Sequence, residues 1–246
     1  MLHGVATSSR AVQHPRHRHQ PAPVALVAAL LACAGCGPSA DYLPLDTGHW
    51  WYYALESHVL DEPAEARVVM ANIGVGELGG QRVHRRRVQA TSLDYLAHTD
   101  TGVQRIARRD ARRTGIVLDD PPLVLVRDLG AWSVPTTLGL VESRTFAPQD
   151  RIIPRHIPLD LDKRVAQRDA VTSVPAGQFE NCLLVVGAGR VAVRTDRGNA
   201  SAVVTVTTRE WYAPGVGLVR REREEVTDST FLRSGRQQWL LLEHGD

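Results

Sequence analysis

The sequence predicts a mainly β protein with little helix, and three features carry that prediction. Runs of aromatic and β-branched residues recur from about residue 50 to the C-terminus. Gly, Pro, Asn and Asp separate those runs at short intervals. Beyond residue 41 no apolar period of about 3.6 residues persists long enough to make a helix, so the strands should pair mostly antiparallel.

Taken in order, Pro44 and Gly48 mark a turn that leads into Trp50-Trp51-Tyr52-Tyr53. Residues 66–73, around Val68, Val69 and Met70, and residues 81–91, around Val83 and Val88, read as strands. Between them Gly74-Val75-Gly76-Glu77-Leu78-Gly79 matches the glycine pattern of a dinucleotide-binding turn. Residues 81–87 follow with strand-like spacing and no apolar helical stripe, so the stretch predicts a hairpin instead. Residues 93–99 and 103–109 flank Asp100-Thr101-Gly102, a hairpin signal. Pro121-Pro122 opens a strand over 123–126, and Leu129-Gly130-Ala131-Trp132 breaks and restarts the chain. Pro148, Pro154 and Pro158 predict irregular or edge structure over 146–163. Residues 165–174, 182–188, 189–194, 202–212, 217–226 and 237–243 complete the strands, while 176–182 reads as a short helical turn.

The N-terminus predicts export. Arg10, Arg16 and Arg18 precede an uninterrupted apolar run over 24–32, too short for a stable span and built like a signal peptide over residues 1–32. Cys33 and Cys36 then sit three apart, ahead of the tether Gly37-Pro38-Ser39-Ala40. A redox or metal pair needs a folded scaffold to tune its thiols, and none precedes this one. The stretch Leu30-Leu31-Ala32-Cys33 resembles the lipobox of bacterial lipoproteins, with Cys33 as the acylated residue; Ala34-Gly35-Cys36 keeps Cys36 as the alternative. The resemblance implies palmitate or related acyl chains, stable anchoring on a membrane and, with no Asp after either cysteine, the periplasmic side of an outer membrane. A lipidated tether over residues 33–41 then leads to the β-rich domain proper, residues 42–246.

Charge excludes one class of partner. Of the 29 Lys and Arg residues three lie in the leader, and the remaining 26 face 27 acidic residues, so nothing argues for nucleic acid. Cys182, the only cysteine of the folded part, sits among Phe179, Leu183 and Leu184 and reads as a buried, inert thiol.

Three islands carry a wider resemblance. "YLPLDTGHWWYY" at 42–53, "VTSVPAGQFENCLLVV" at 171–186 and "REWYAPGVGLVRRERE" at 209–224 resemble motifs of a group of uncharacterised bacterial lipoproteins. Each reads as structural: Pro175 and Gly177 make a turn that delivers Phe179 and Cys182 to the core, and Pro214-Gly215 is a type II pair. The resemblance implies a curved antiparallel sheet, or an open barrel or sandwich, distantly similar to outer-membrane lipoprotein carriers. It further implies binding of an apolar ligand or an envelope protein without catalysis. Trp50, Trp51, Tyr53, Phe179, Trp211 and Tyr212 are then the candidate ligand face, with ordinary core as the alternative.

Over 81–113 the arginines, among them Arg85, Arg86, Arg87, Arg108, Arg109, Arg112 and Arg113, outnumber Asp94, Asp100 and Asp110. They are a candidate patch for an anionic surface or simply solvated strand faces, since Lys163 is the only lysine and arginine is this chain's default cation. The histidines after residue 41 show no i, i+4 pair, the acidic doublets lack the rest of a calcium loop, and no G-x-S-x-G elbow occurs, so neither metal, cofactor nor catalytic residue is expected. A hydrolase would need His84 or His156 to meet a carboxylate through the fold, and a structural subunit of an envelope complex is the further alternative.

Overall fold

The computed structural model describes residues 41–59, 62–110, 115–143, 157–194 and 201–246. The chain divides into two units, Met1–Cys36 and Gly37–Asp246, and every described residue belongs to the second. The leader, Cys33, Cys36, Arg112, Arg113 and His156 lie outside the described residues.

Those residues form strands and connections without a helix: β1 Trp50–Val59, β2 Glu62–Leu78, β3 Gln81–Val88, β4 Ser92–Thr99, β5 Gly102–Asp110, β6 Val117–Arg127, β7 Ala131–Thr137, β8 Glu142–Ser143, β9 Pro158–Val174, β10 Gly177–Arg194, β11 Ser201–Ala213, β12 Gly217–Thr227, β13 Leu232–Arg233 and β14 Gly235–Gly245. Twelve of them make one antiparallel sheet in the order β6-β5-β4-β3-β2-β1-β14-β12-β11-β10-β9-β7, and β13 pairs with β8 apart from it. The two edge strands, β6 and β7, are consecutive in the chain and separated by only residues 128–130. The sheet therefore rolls until its edges come near, and one buried cluster joins Leu96, Val103 and Val126 of β4–β6 to Trp132, Val134, Leu183, Val185 and Tyr212 of β7, β10 and β11.

Residues that alternate inward fill the roll in layers. The cluster just named sits toward one end with Leu43 and Leu45, which enter from the segment before β1. A second cluster of Leu138, Val141, Leu159, Leu161, Val193, Val204, Val206 and Leu232 fills the other end. Trp51, Tyr53, Val68, Cys182, Val219 and Leu241 pack over β1, β2, β12 and β14.

The glycine-rich stretch is a hairpin: β2 runs into β3 through Gly79-Gly80, both with positive φ, as a tight two-residue turn requires. Turns also fall at Pro175-Ala176 and Pro214-Gly215. Three expectations need correction. The segment 176–182 is not helical but opens β10, where Phe179 opposes Thr172 and Cys182 opposes Ala170, so the strand bulges; Asn181 takes the left-handed conformation that Asn tolerates. Strand β9 starts at Pro158, inside the stretch expected to be irregular, because proline is tolerated at a strand's first residue. Strand β6 begins at Val117 and passes through Pro121-Pro122, which its position at the sheet edge allows.

Candidate functional site: a buried polar layer

Between the two apolar clusters the strand phase brings charge inward. Along β9 the inward positions are Leu159, Leu161, Lys163 and Val165; along β11 they are Val204, Val206, Thr208, Glu210 and Tyr212; along β12 they include Arg221, Arg223 and Glu225. The register aligns one inward row across seven strands, Trp132, Lys163, Gly187, Thr208, Arg223, Gln237 and Ser57, each directly opposite the next. A neighbouring row runs Val165, Val185, Glu210, Arg221, Trp239 and Leu55.

Glu210 is the centre of this layer. Its Oε2 accepts from Lys163 Nζ at 2.7 Å and from the Tyr212 hydroxyl at 2.9 Å, and Arg221 Nε lies 3.4 Å from Oε1 without hydrogen-bond geometry. Burial pushes the Glu210 carboxyl up, but Lys163 and Arg221 outweigh it and hold it below the usual carboxylate range. Burial first, and then the Glu210 charge, raise Tyr212 well above a free phenol. The lysine stem crosses β10 at Gly187, where a Cβ would stand 2.5 Å from Thr208 Oγ1 and 3.1 Å from Lys163 Cγ, so only glycine leaves both side chains their place.

A clamp closes the next level. Glu225, fully buried, accepts backbone N–H bonds from Gly139, Leu140 and Val141 at 2.8–3.1 Å and pairs with Arg223, whose Nε donates to Oε1 at 2.9 Å. Arg223 also donates to Thr136 Oγ1 and the Thr137 carbonyl. One ion pair thus ties the segment after β7 across the end of the roll. At the other end the segment before β1 is held by Asn72, which donates to the carbonyls of Pro44 and Asp46, by Arg86, which donates to Asn72 Oδ1 and the Pro44 carbonyl, and by His84 Nδ1, 3.0 Å from the Leu45 carbonyl.

The residues singled out in the sequence scatter around this framework. Trp51, Tyr53 and Tyr212 are buried, and their polar atoms are already used: Trp51 Nε1 donates to the Val216 carbonyl at 2.6 Å and the Tyr53 hydroxyl to the Leu218 carbonyl at 2.8 Å. Phe179 and Trp211 are half-buried, Trp211 beneath the Arg220 guanidinium, and Trp50 is 37% exposed. The arginines divide likewise. Arg86 is withdrawn from the surface, 6% exposed, stacked 4.6 Å over Trp51, and burial lowers its pKa to about 10. Arg108 is bidentate to Asp94, Arg85 runs over Gly74 and Gly76, and Arg87 and Arg109 stand exposed on either side of Leu93. Cys182 is buried and free, its thiol pushed up to about 11 by burial. Among the described residues no group of three His, Cys, Asp or Glu is placed to hold a metal ion.

The polar layer itself was not anticipated. Its signal lies in phase, since Lys163, Glu210 and Arg223 occupy the same alternate positions as the valines and leucines beside them, and Lys163 breaks the chain's exclusive use of arginine.

On its outward side the same part of the sheet is hollowed. A depression of about 500 Å3 lies over Val186, Ala188 and Thr207, rimmed by Asp162, Arg164, Arg209, Glu222 and Glu224. A second of about 220 Å3 shares Glu222 and Glu224 and reaches Glu56, His58 and Arg236.

No family model matches the chain, and no curated protein is similar to it. Among solved structures it is similar to a candidate lipoprotein of Parabacteroides distasonis (16% identity, 84% of this chain and 99% of that one, TM-score 0.37). It is also similar to a candidate exported protein with a YmcC-like fold from Bacteroides fragilis (12% identity, 84% and 100%, TM-score 0.38). At those scores the likenesses carry no weight here; the fold rests on the strands and registers above.

Proposed function

We propose that the protein is an exported, lipid-anchored component of the cell envelope, facing the periplasm from the outer membrane, which binds a partner protein on the outer face of its sheet and performs no catalysis. The observation that carries the binding mode is the fate of the aromatic residues. Trp51, Tyr53 and Tyr212 are bonded into the interior and Leu43 and Leu45 fill the space beside them, so an enclosed apolar ligand would have to displace core. The motif islands, moreover, supply turns and a bulge rather than reactive groups. The outer hollows, which share Glu222 and Glu224 and together are lined by four acidic and four arginine side chains, suit a protein segment of mixed charge better than an acyl chain. The anchoring comes from the lipobox resemblance at Cys33 or Cys36.

In-cell crosslinking tests the reading. The wild type should capture one constant envelope protein, and Arg209→Glu with Glu224→Arg should cut that capture several-fold while the fold survives. Saturable uptake of an acyl-chain probe by the purified chain, with no constant crosslinked protein, would reverse the conclusion in favour of a ligand carrier. A palmitate analogue should label the wild type and not the variant with both Cys33 and Cys36 changed to Ser.

A further inference from the structure

The inward row is complete at one end and incomplete at the other. Toward β14 and β1, Trp239 Nε1 donates to Gln237 Oε1 at 3.2 Å and Gln237 Nε2 donates to Ser57 Oγ at 3.1 Å. Toward β7 the row runs out of partners: Trp132 Nε1 and Thr208 Oγ1 are buried without a hydrogen bond, although the two residues are only 7% and 2% exposed. Between them stands Lys163, which faces Trp132 directly and shares the surface of Gly187 with Thr208. Its ammonium carries three N–H groups and places one, on Glu210. Arg221 Nε, on the adjacent row, is a further buried donor without a hydrogen bond. Orphaned buried polar groups in a native interior call for a guest, since a buried donor left unpaired loses its hydrogen bond to water and gains none in return.

The character of the guest follows from what is left over. The unfilled groups are donors: an indole N–H, an ammonium, a guanidinium N–H and a hydroxyl able to donate. Arg223 and Glu225 cancel, while Lys163 and Arg221, the latter 31% exposed at its side chain, share the single carboxylate of Glu210. A water molecule would accept from two of these donors but bring two more hydrogens and no charge; a small oxyanion brings several acceptors and a second negative charge for Lys163 and Arg221 to share. On the same and the neighbouring row Arg221, Trp239, Gln237, Leu55 and Ser57 are half-exposed, so solvent reaches the β12–β14–β1 side of the layer. The Lys163 stem packs directly on Gly187 before its ammonium reaches Glu210.

We propose that the interior of the roll binds one small oxyanion, a carboxylate or phosphate group, between Lys163, Trp132 and Thr208. Lys163 and Trp132 line neither outer hollow, and although Gly187 and Thr208 also border the larger one, the proposal does not depend on the partner surface above.

The test uses the full-length chain in detergent with its five tryptophans 15N-labelled, titrated with sodium acetate and with sodium phosphate against sodium chloride at equal ionic strength. One indole N–H signal, absent from Trp132→Phe, should move saturably with at least one oxyanion and not with chloride, while the other four stay in place. Thr208→Val, nearly isosteric, should weaken the oxyanion effect at least threefold. A Trp132 signal that does not saturate, or that responds equally to chloride, overturns the proposal and leaves ordinary water in the layer. Reading that signal needs only the wild type and the assignment variant, so the test stands even if Thr208→Val fails to fold.

Discussion

Replacing Glu225 by Gln removes its negative charge and one of its two acceptor oxygens and should undo the clamp at the end of the roll. In the wild type Oε2 accepts from Gly139, Leu140 and Val141, while Oε1 accepts from Arg223 and shares the Gly139 N–H. Glutamine keeps a single acceptor oxygen, so its NH2 must point either at three backbone N–H groups or at the Arg223 guanidinium, donor against donor. The arginine, 10% exposed at its side chain, is then left with no opposite charge, and breaking a buried pair from one side costs about 3–5 kcal/mol. For a domain of this size each kcal/mol moves Tm by about 2–4 °C, so the variant should melt about 10 °C lower. Thermal and urea denaturation of the purified chain read this directly, with exposed Glu224→Gln as the control that stays within about 0.5 kcal/mol. Arg223→Met combined with Glu225→Gln should then cost less than the two single changes summed. If Glu225→Gln falls within about 1 kcal/mol of the wild type, the clamp contributes nothing and the closed end is held by something else.

Two further outcomes follow from the layer. Gly187→Ala should destabilise by about 1–3 kcal/mol, because its Cβ would meet Thr208 Oγ1 and the Lys163 stem, and Thr208→Ala should recover part of that loss; additive urea midpoints would refute the contact. Glu210 titrates below its unfolded value, so its ion pairs add stability that is fully present above about pH 4.3 and fades as pH falls through the lower folded value. The urea midpoint of the wild type should therefore drop below pH 4 more steeply than that of Glu210→Gln, and parallel curves would remove Glu210 from the acid response.

The β class was legible because alternation and turn residues act locally: the pairs Gly79-Gly80, Pro175-Ala176 and Pro214-Gly215 each turn the chain by their own backbone preferences. The bulge at Asn181 was not, since one extra residue in a strand and one short helical turn look alike in a seven-residue window. The aromatic residues show the limit differently. Period-two patterning sends Trp51, Tyr53 and Tyr212 inward, but whether inward means cavity or core depends on Leu43 and Leu45 returning to fill the space, a tertiary fact. The polar layer is harder still, for Lys163 and Glu210 lie 47 residues apart and meet only because β10 aligns β9 with β11. Once the strand phase is known, charged residues on the apolar phase are the sign to look for.

The rolled sheet leaves one problem that closed barrels avoid. Among the described residues β6 pairs only with β5 and β7 only with β9, so each presents an unpaired edge beside the seam. Unpaired edges recruit strands from other molecules, and Leu118, 64% exposed at the start of β6, makes this one more adhesive. The chain answers with proline: β6 passes through Pro121 and Pro122, whose N–H positions would point to opposite sides of the strand, so one of them deprives the open edge of a donor, and Pro135 stands in the middle of β7, where proline is tolerated with its missing N–H on the open side. Restoring that donor should therefore change association before it changes the fold. Pro135→Thr should keep the wild-type melting temperature to within about 3 °C, a cost near 1 kcal/mol at most, yet show concentration-dependent dimers or larger species by sedimentation velocity where the wild type sediments as one species. A variant that stays as monodisperse as the wild type would mean that the seam is already covered and that Pro135 has no protective role.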